Sequence, residues 1–344
     1  MPSQIERYSR QMLFPEIGES GQLKLVQSKV AILGCGALGT VQADALCRAG
    51  VGFLRIVDRD FIEESNLQRQ TLFSEEDVQA GLPKAVAAQK RLQQINSQVT
   101  VDALVADVNY KNIESLVEGV DLILDATDNF ETRFLLNDVA VKHRKPWIYG
   151  ASVGSYGLSM TVIPHETPCL RCIFETMPPP GMSPTCDTAG VLASIVNIIA
   201  SIQVAEALKI LTGNLHRINR KMIYFDVWEN SWKRFEIASA KEQGECPVCK
   251  MGRYEFLEGK EGSTVTTLCG RNSVQINQSG GHQLDFEHLA HRLKPLGVVH
   301  FNKFLLKFEV DAYEIAVFPD GRGIVKGTKD PNVARSVYAK YVGA

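Results

Sequence analysis

The sequence predicts an α/β fold, in which a Rossmann-like, largely parallel sheet with flanking helices and structural zinc precedes a small α+β domain. Three observations support this prediction. A glycine-rich turn at residues 34–39 follows an apolar strand and opens a helix. Short apolar strands then alternate with helical stretches, which is typical of parallel βαβ units. Two Cys-x-x-Cys pairs, Cys169 with Cys172 and Cys246 with Cys249, supply four thiols of the kind that hold zinc.

Composition limits the classes of protein that the chain can belong to. Its 344 residues suffice for one large domain and a smaller one, and 45% hydrophobic with 22% charged residues is ordinary for a globular protein. A net charge of −2 gives no indication of nucleic-acid or membrane binding. The apolar stretch 191–211 is interrupted by polar residues, so it predicts a buried helix. We expect a cytoplasmic protein, because no apolar targeting segment is visible and the cysteine pairs suit a reducing compartment.

Hydrophobic patterning predicts the elements of the large domain. Lys29–Leu33 and Phe53–Val57 are strands that enclose a helix at 38–49. A proline in its first turn marks the start of a helix at 83–95. A proline-rich stretch at 177–184 predicts an exposed, mobile loop. The remaining elements are strands at 99–106, 120–126, 147–149, 155–163 and 222–237 and a helix at Phe130–Lys142.

The second domain begins after the second cysteine pair, which divides the chain into residues 1–252 and 253–344. A turn at Pro319-Asp320-Gly321-Arg322 predicts a hairpin between two of its strands. Its predicted strands lie near 273–277, 304–310, 313–318 and 323–326, with helices near 285–293 and 331–341.

The glycine turn predicts a nucleotide site. Gly34, Gly36 and Gly39 leave the backbone open to phosphate at the amino end of a helix, where N–H groups are unpaired. Asp58 ends the next strand, about 20 residues after the glycine turn. An acid at this position accepts hydrogen bonds from ribose hydroxyls. This pattern alone favours a nicotinamide-dependent oxidoreductase over a glycine turn that only permits tight packing.

Charged residues farther along the chain favour a triphosphate. Arg69 and Lys84 supply cations, and Asp128 follows a buried strand, where a carboxylate is placed to hold magnesium. A triphosphate needs this neutralisation before its α-phosphorus is attacked, whereas a dinucleotide needs few cations. Any one of these residues alone is equally explained as a solvated surface charge. Together they indicate ATP with magnesium.

The motifs resemble those of the ThiF/MoeB/HesA family of ubiquitin-activating-enzyme-like adenylyltransferases. The resemblance covers about residues 5–252 and is closest to the ThiF-type members. It implies ATP-dependent adenylation of the C-terminal glycine carboxylate of a small ubiquitin-like sulfur-carrier protein that ends in Gly-Gly, with release of pyrophosphate. Thiamine biosynthesis, molybdenum cofactor (molybdopterin) biosynthesis and a related thiolation pathway all remain open. The matching stretches are 7–11, 34–39, Asp58, 65–70, 81–84, 127–129 and the two cysteine pairs.

The resemblance also implies roles for individual residues. Asp58 would bind the ribose of ATP, Arg69 and Lys84 the phosphates, and Asp128 the magnesium ion. Asn66 and Gln68 would line the same site. Arg10 would reach into the active site of a second subunit, which implies a homodimer. The residues that would hold structural zinc are Cys169, Cys172, Cys246 and Cys249.

Cys186 lies where ThiF-type members carry a reactive cysteine, after the proline-rich stretch and before a predicted helix. A helix amino terminus favours the thiolate, although a small residue packed at a helix start is an equally good explanation. As a reactive thiol, Cys186 would form an acyl disulfide with the carrier. The alternative is direct transfer of the acyl group to a persulfide on a separate sulfur donor.

Two other functions and the role of the second domain stay open. An NAD-dependent oxidoreductase with structural zinc leaves Arg69, Lys84 and Asp128 unexplained, and a non-catalytic nucleotide-binding scaffold would not need them. The second domain has one cysteine, Cys269, and lacks the rest of a rhodanese pattern. It would therefore dock the carrier or a sulfur donor, or stabilise a dimer.

Overall fold

A computed structural model describes residues 5–176, 189–243, 245–260, 267–268, 273–276 and 284–342. The described residues form two sheets, one of eight strands and one of six. The first sheet contains β1 (Lys29–Leu33), β2 (Phe53–Val57), β3 (Thr100–Leu104), β4 (Leu122–Asp125), β5 (Trp147–Val153), β6 (Tyr156–Val162), β7 (Met222–Asp226) and β8 (Ser231–Phe235). The second contains β9 (Thr267–Leu268), β10 (Ser273–Ile276), β11 (Val298–Phe301), β12 (Leu306–Val310), β13 (Tyr313–Val317) and β14 (Gly323–Lys326).

Helices flank the first sheet and cover one side of the second. Short 3₁₀ turns at Glu6–Tyr8 and Leu215–Arg217 complete the described helical structure. The α-helices are α1 (Ser9–Met12), α2 (Gly18–Gln27), α3 (Ala37–Ala49), α4 (Glu64–Leu67), α5 (Glu75–Gln79), α6 (Lys84–Ile95), α7 (Ile113–Leu116), α8 (Phe130–Lys142), α9 (Leu170–Ile173), α10 (Ala193–Thr212), α11 (Ala238–Gln243), α12 (Phe286–Leu293) and α13 (Pro331–Tyr341).

The strand order of the large sheet creates a crevice. The order is β3-β2-β1-β4-β5-β6-β7-β8, with parallel pairing from β3 through β5. The chain leaves β1 towards β2 on one side and returns with β4 on the other. The carboxyl ends of β1 and β4 therefore flank a topological switch point, where α/β sheets bind their ligands. The predicted fold class is confirmed.

The other half of the large sheet is antiparallel, and it contains more strand residues and one more strand than the sequence predicts. β5 continues to Val153 instead of ending at residue 149, because it pairs along its whole length with β6. The stretch predicted as one strand at 222–237 is two strands, β7 and β8, joined by a turn in which Asn230 adopts a positive φ of 49°. Asn tolerates this left-handed conformation better than most residues. The sheet is thus parallel where it carries the crevice and antiparallel beyond it.

The predicted buried helix is α10. It is the one described helix that is long and apolar enough to cross a membrane, and 56% of its most apolar stretch is buried inside the protein. Its polar side chains have partners there: Gln203 Nε2 donates to the carbonyls of Asp125 (2.9 Å) and Ile148 (3.1 Å). Thr161 Oγ1 donates to Glu206 at 3.1 Å. These hydrogen bonds tie α10 to β4, β5 and β6.

The second sheet packs against the loops that follow β2 and β3. Leu305, Ala316, Phe318 and Ile324 form one apolar cluster with Phe61, which lies just after β2. The predicted strands at 273–277, 304–310, 313–318 and 323–326 are present as β10, β12, β13 and β14. The sequence analysis missed β11 and β9, since β11 is largely exposed and β9 has only two residues, so neither carries a clear hydrophobic pattern.

The segment after residue 252 belongs to the core of the large domain. Phe256 and Leu257 are buried there. Their backbone N–H groups donate to Asp138 Oδ2 on α8, at 3.0 and 3.3 Å. Burial raises the pKa of Asp138 to about 7, even though these two hydrogen bonds oppose the shift. The boundary between residues 252 and 253 remains a prediction.

We predict that Asp138 makes the stability of this core depend on pH. Its folded-state pKa lies above the ordinary value of 3.8, so the folded protein prefers the protonated carboxyl. That contribution is present below about pH 4 and is lost as the pH rises through about 7. Asp138→Asn cannot ionise and keeps an acceptor for the two N–H groups. Urea unfolding should show the variant gaining stability relative to the parent between about pH 5 and about pH 8, by on the order of 1 kcal/mol or more. A stability difference between variant and parent that does not change with pH would contradict the raised pKa of Asp138.

Candidate functional site

A cleft of about 310 Å³ opens at the carboxyl ends of β1, β2 and β4. It contains most of the residues that the sequence singles out for a nucleotide, although these are distant from one another in the chain. The predicted residues that line it are Gly34, Gly36, Asp58, Arg69, Lys84 and Asp128. The structure therefore brings together the glycine turn, the predicted ribose ligand, two cations and the predicted magnesium ligand.

The three glycines of the turn serve different purposes. Gly34 has a φ of 95°, and a Cβ there would lie 2.4 Å from the carbonyl oxygen of Ala126. A Cβ on Gly39 would lie 2.1 Å from the carbonyl oxygen of Gly34. Both positions thus need glycine for packing. A Cβ on Gly36 would meet only Gln70 Nε2, at 3.9 Å, so this position leaves open space at the start of α3.

Asp58 is fixed by two backbone N–H groups. Its Oδ2 accepts from Cys35 at 2.6 Å and its Oδ1 from Asp60 at 2.7 Å. Burial raises the pKa of Asp58, while the nearby Lys84 ammonium opposes the shift. A carboxylate has about four acceptor positions, so two remain for hydroxyl donors in the cleft.

Lys84 is the first residue of α6 and extends from there into the cleft. Its side chain is only 3% exposed and its Nζ lies 3.2 Å from Asp60 Oδ2. Its backbone N–H donates to the Asp60 carbonyl at 2.9 Å, which fixes the start of the helix. An ammonium has three donors, so Lys84 can hold Asp60 and an anion in the cleft together.

Two neighbouring residues after α4 face the cleft. Arg69 is anchored by a hydrogen bond from Nη1 to the carbonyl of Ser65, at 2.8 Å. Gln70 is buried, and its Oε1 has no hydrogen-bond partner among the described residues. Buried amide oxygens are normally paired, so an unpaired one beside the glycine turn suggests a ligand position. The sequence analysis includes Gln70 in a matching stretch but gives it no role.

The structure places Asn66 and Gln68 differently from the other predicted residues. Asn66 is buried and belongs to a capping box of α4, in which its Oδ1 accepts from the backbone N–H of Glu63 at 3.1 Å. Gln68 is exposed. Neither lines the cleft in the described part of the chain.

Asp128 stands on a loop that an internal ion pair holds in place. Arg133 Nε lies 3.1 Å from Asp125 Oδ2, and its Nη2 donates to the carbonyls of Thr127 (2.6 Å) and Gly150 (3.2 Å). Asn129 accepts the N–H of Thr132 at 2.8 Å and so caps α8. Asp128, between these anchors, keeps an exposed carboxylate. The sequence analysis missed Arg133, because an arginine within a helix has no local sign of a distant carboxylate partner.

The cleft also contains an ion pair that the sequence analysis missed. Arg59 follows Asp58 directly, and its Nη1 lies 2.7 Å from Asp107 Oδ1. Both residues line the cleft, on the side of β2 and β3. The charges of Asp107 and Asp60 raise the pKa of Arg59 against the opposing effect of burial, so it is permanently cationic. Its position next to Asp58 is the local sequence signal for Arg59.

Arg10 is exposed on α1 and does not line the cleft of its own chain in the described residues. Its neighbours fix the segment around it. Tyr8 is buried, and its hydroxyl accepts from Asn96 Nδ2 at 2.9 Å. Gln11 Nε2 donates to Gln22 (2.6 Å) and to the Ala49 carbonyl (3.0 Å). The segment is thus anchored while its arginine points to solvent.

The two Cys-x-x-Cys pairs come together as one cluster. Four thiolates around zinc, at about 2.3 Å each, would lie about 3.8 Å apart in a tetrahedron. The sulfurs lie 3.8 Å apart for Cys169 and Cys172, 3.6 Å for Cys169 and Cys246, and 3.4 Å for Cys172 and Cys249, and all four lie within 4.8 Å of one another. The geometry and the donor set therefore suit zinc.

Asn137 on α8 supports this cluster. Its Nδ2 donates to Cys169 Sγ at 3.6 Å, while its Oδ1 accepts the N–H of Leu170 at 2.8 Å. Such a second layer of hydrogen bonds orients metal ligands. The two cysteine pairs are distant in sequence. A bound metal would therefore join the segment at 169–172, which follows β6, to the segment at 246–249, which follows α11.

The remaining cysteines divide into buried and undescribed ones. Cys35 and Cys47 are fully buried, and burial raises the pKa of Cys47 to about 11. Both are therefore poor nucleophiles, as expected for packing residues. Cys186, Cys269 and the proline-rich stretch at 177–184 lie outside the described residues.

Comparison with known proteins gives consistent relatives. The model of the ThiF family matches residues 8–248. The chain is 46% identical over 338 residues to the sulfur carrier protein ThiS adenylyltransferase of Bacillus subtilis, covering 98% of this chain and 99% of that one. It is 38% identical to a sulfur carrier protein adenylyltransferase of Thermus thermophilus, covering 72% and 91%. A crystal structure of E. coli MccB with ATP superposes with a TM-score of 0.59 at 26% identity, covering 71% and 73%.

We predict that substitution of Gly36 weakens ATP binding without loss of thermal stability, whereas substitution of Gly39 lowers thermal stability. Gly36→Ala should keep the thermal stability of the parent, because its Cβ meets nothing closer than 3.9 Å, but it should weaken ATP binding by about tenfold or more by filling the turn. Gly39→Ala is the contrasting variant, since a backbone carbonyl stands in its way, and it should unfold at lower temperature. Calorimetric titration with ATP and thermal melting measure the two effects. Unweakened ATP binding by folded Gly36→Ala would place the nucleotide elsewhere.

Proposed function

The chain belongs to the ThiF family, and on that basis we propose that it is a sulfur-carrier protein adenylyltransferase. Its substrates are ATP and a small ubiquitin-like protein that ends in Gly-Gly. The products are the carrier acyl-adenylate and pyrophosphate. The observation that carries this proposal is the cleft, where a glycine turn, the fixed carboxylate of Asp58 and the buried ammonium of Lys84 lie together.

The reaction needs charge neutralisation more than proton transfer. The terminal carboxylate of the carrier is ionised at neutral pH and attacks the α-phosphorus without a general base. The new bond joins a carboxylate oxygen to the α-phosphorus, and pyrophosphate leaves with the electrons of the broken phosphoanhydride bond. Asp58 holds the ribose, while Lys84 and Arg69 neutralise the phosphates. Positioning and electrostatic stabilisation then supply the catalysis.

Asp128 is the residue that we propose as the magnesium ligand. Its exposed carboxylate lies at the carboxyl end of β4, between the anchored residues Thr127 and Asn129. Carboxylate oxygens are the ligands that magnesium prefers, and the ion would help to neutralise the triphosphate. Gln70 belongs to the same proposal, since its amide is a polar group at the edge of the glycine turn.

We propose a homodimer in which Arg10 completes the site of the second subunit. Arg10 is exposed on an anchored segment, so it is available to a partner. The two residues that follow Met12, Leu13 and Phe14, expose 70% and 56% of their surface. Exposed apolar residues of this size beside a cation suit a subunit interface. A cytoplasmic location agrees with this soluble-enzyme proposal and with thiols that stay reduced.

The acyl-adenylate is a mixed anhydride that a sulfur nucleophile attacks. In one route a persulfide on a separate donor enzyme displaces AMP. In the other, Cys186 first takes the outer sulfur of the donor persulfide, which leaves the donor as a thiol, and the new persulfide on Cys186 displaces AMP. The first route leaves an acyl disulfide between the carrier and the donor, and only the second leaves one between the carrier and this chain. Thiamine biosynthesis is the pathway that the Bacillus relative favours, because its name specifies the carrier ThiS.

The NAD-dependent oxidoreductase is the weaker alternative. It explains the glycine turn and Asp58, but a dinucleotide does not require the buried Lys84 or the exposed Asp128. The sulfur carrier adenylyltransferases of Bacillus subtilis and Thermus thermophilus match this chain over 99% and 91% of their own length. A titration with NAD in place of ATP separates the two functions.

We predict that exchange of labelled pyrophosphate into ATP requires Lys84 and Asp128. The parent should catalyse exchange only with a Gly-Gly-ending carrier present. Lys84→Ala and Asp128→Ala should each lower the rate by about 100-fold or more, because unneutralised phosphate charge opposes attack. Lys90→Ala is the matched control, since Lys90 is exposed on the same helix and lies outside the cleft, and it should keep the rate. Full exchange by Lys84→Ala would contradict the site assignment.

We also predict about one zinc per chain, bound by the four thiolates of the cysteine cluster. Cys249→Ser should lose zinc and unfold at lower temperature, because the metal joins distant segments and its binding contributes to folding. Cys47→Ser is the control, as a buried cysteine outside the cluster, and it should keep its zinc. Elemental analysis and thermal melting provide the measurements. The zinc assignment fails if Cys249→Ser keeps both its metal and its stability.

A further inference from the structure

We propose that the second sheet domain positions the nucleotide site through a relay of three side chains, Gln275, Asp107 and Arg59. In this relay Gln275 orients Asp107, and Asp107 orients Arg59, which contacts the nucleoside part of ATP. The inference rests on the proposed function for the identity of the ligand. It assigns to the second domain a role in substrate binding, in addition to any contact with a partner protein.

The relay runs through hydrogen bonds on both oxygens of Asp107. Oδ1 accepts from Arg59 Nη1 at 2.7 Å, and Oδ2 accepts from Gln275 Nε2 at 2.8 Å. Gln275 is 1% exposed and lies on β10, which is paired with β14 on one side and β9 on the other. A side chain on a strand held from both sides has little freedom to move. It therefore fixes the carboxylate whose other oxygen holds Arg59.

Arg322 provides a second contact from the same domain. Its Nη1 donates to the backbone carbonyl of Arg59 at 3.2 Å, and the side chain is only 5% exposed. The guanidinium stacks on Phe318, with 3.9 Å to the ring centroid. The backbone and the side chain of Arg59 are thus both held by residues of the second domain.

Arg59 lies on the side of the cleft where we place the nucleoside. It follows the predicted ribose ligand Asp58 directly, and its Nη1 pairs with Asp107, which follows β3. Its Nε lies 3.9 Å from Asp60 Oδ1, the carboxyl that also pairs with Lys84. Ala106 and Val108 line the cleft beside Asp107 and give this side an apolar surface. A planar guanidinium whose edge is engaged by a carboxylate presents its face, and arginine faces stack on aromatic bases.

Other contacts between the domains lie away from the cleft. Asn302 Nδ2 donates to the carbonyls of Ala80 (3.0 Å) and Gly81 (3.1 Å), and Lys326 pairs with Glu63. None of these residues lines the cleft in the described part of the chain. They therefore provide a means to weaken docking of the domain without touching the relay.

The test compares Gln275→Met with Asn302→Ala in the full chain. Gln275→Met keeps the length of the side chain and removes the donor to Asp107. We expect it to weaken the binding of ATP and of adenosine by about tenfold, as for loss of one oriented charge-assisted contact. KM for ATP should rise to the same extent in pyrophosphate exchange, with kcat changed less than about twofold, because uniform binding is lost. Asn302→Ala should leave nucleotide affinity unchanged.

A thermodynamic cycle with Arg59→Ala shows whether Gln275 acts through Arg59. The double variant should bind ATP no more weakly than Arg59→Ala alone, because the relay has then lost its last member. Additive losses would overturn the relay, as would unchanged ATP and adenosine affinity in folded Gln275→Met or an equal loss in Asn302→Ala. Loss of ATP affinity with unchanged adenosine affinity would overturn the nucleoside contact.

A second variant covers the case in which Gln275→Met does not fold. Asp107→Asn keeps the shape of the central residue and removes the charge that holds Arg59, so it should give the same tenfold loss of ATP and adenosine affinity. Failure of this inference is distinct from failure of the proposed function. In the first case the parent still exchanges pyrophosphate with the carrier, and in the second it does not.

Discussion

The buried carboxylate of Asp125, at the end of β4, holds together the loop and the helix that border the cleft. It is fully buried and accepts from Thr127 N (2.9 Å), Thr127 Oγ1 (2.7 Å) and Arg133 Nε (3.1 Å). Its backbone carbonyl accepts from Gln42 on α3 and Gln203 on α10. Removing one partner of such a buried pair typically costs about 3–5 kcal/mol. These hydrogen bonds hold the end of β4 and the loop after it in place at the base of the crevice.

Helix α8 connects the contacts of Asp125 to the cysteine cluster. Three polar residues on its buried side have separate tasks: Arg133 pairs with Asp125, Asn137 contacts Cys169 Sγ, and Asp138 holds the segment at Phe256. Asn129 caps the same helix beside Asp128. Asn129 and Asn137 thus give the Asp128 loop and the cysteine cluster a common support on one helix. The cluster and the cleft remain separate sites.

Sequence reasoning succeeded where the signal is local. The strands β1 and β2 and the helix α8 have the predicted ends, because hydrophobic periodicity and flanking glycine or asparagine mark them. Asp58 and Lys84 line the cleft, as their places beside a strand end and a helix start suggest, and their roles stay predictions. Sequence reasoning failed for Arg133, Gln275 and Asp107, whose importance comes from partners far away in the chain. Asn66 lies in a matching motif, yet it caps helix α4 and does not line the cleft among the described residues. A motif position therefore does not by itself fix where a side chain points.

The second domain illustrates the same limit at a larger scale. Its strands β12 to β14 follow from alternation and a hairpin turn, yet nothing in that pattern indicates which surface it covers. The structure places it on the loops after β2 and β3, where Gln275 contacts Asp107 and Arg322 contacts Arg59, the residue after Asp58. A domain that looks like an appendage in the sequence is thus adjacent to the nucleotide cleft.

Mass spectrometry of the carrier detects adenylation at its terminal glycine. The protein is incubated with MgATP and a ThiS-type sulfur carrier, with inorganic pyrophosphatase added to prevent reversal. We predict a carrier that gains one AMP at its terminal glycine, and no gain in a carrier that lacks the last glycine. AMP attached elsewhere on the carrier, or an unmodified carrier with the nucleotide bound in the cleft, would contradict it.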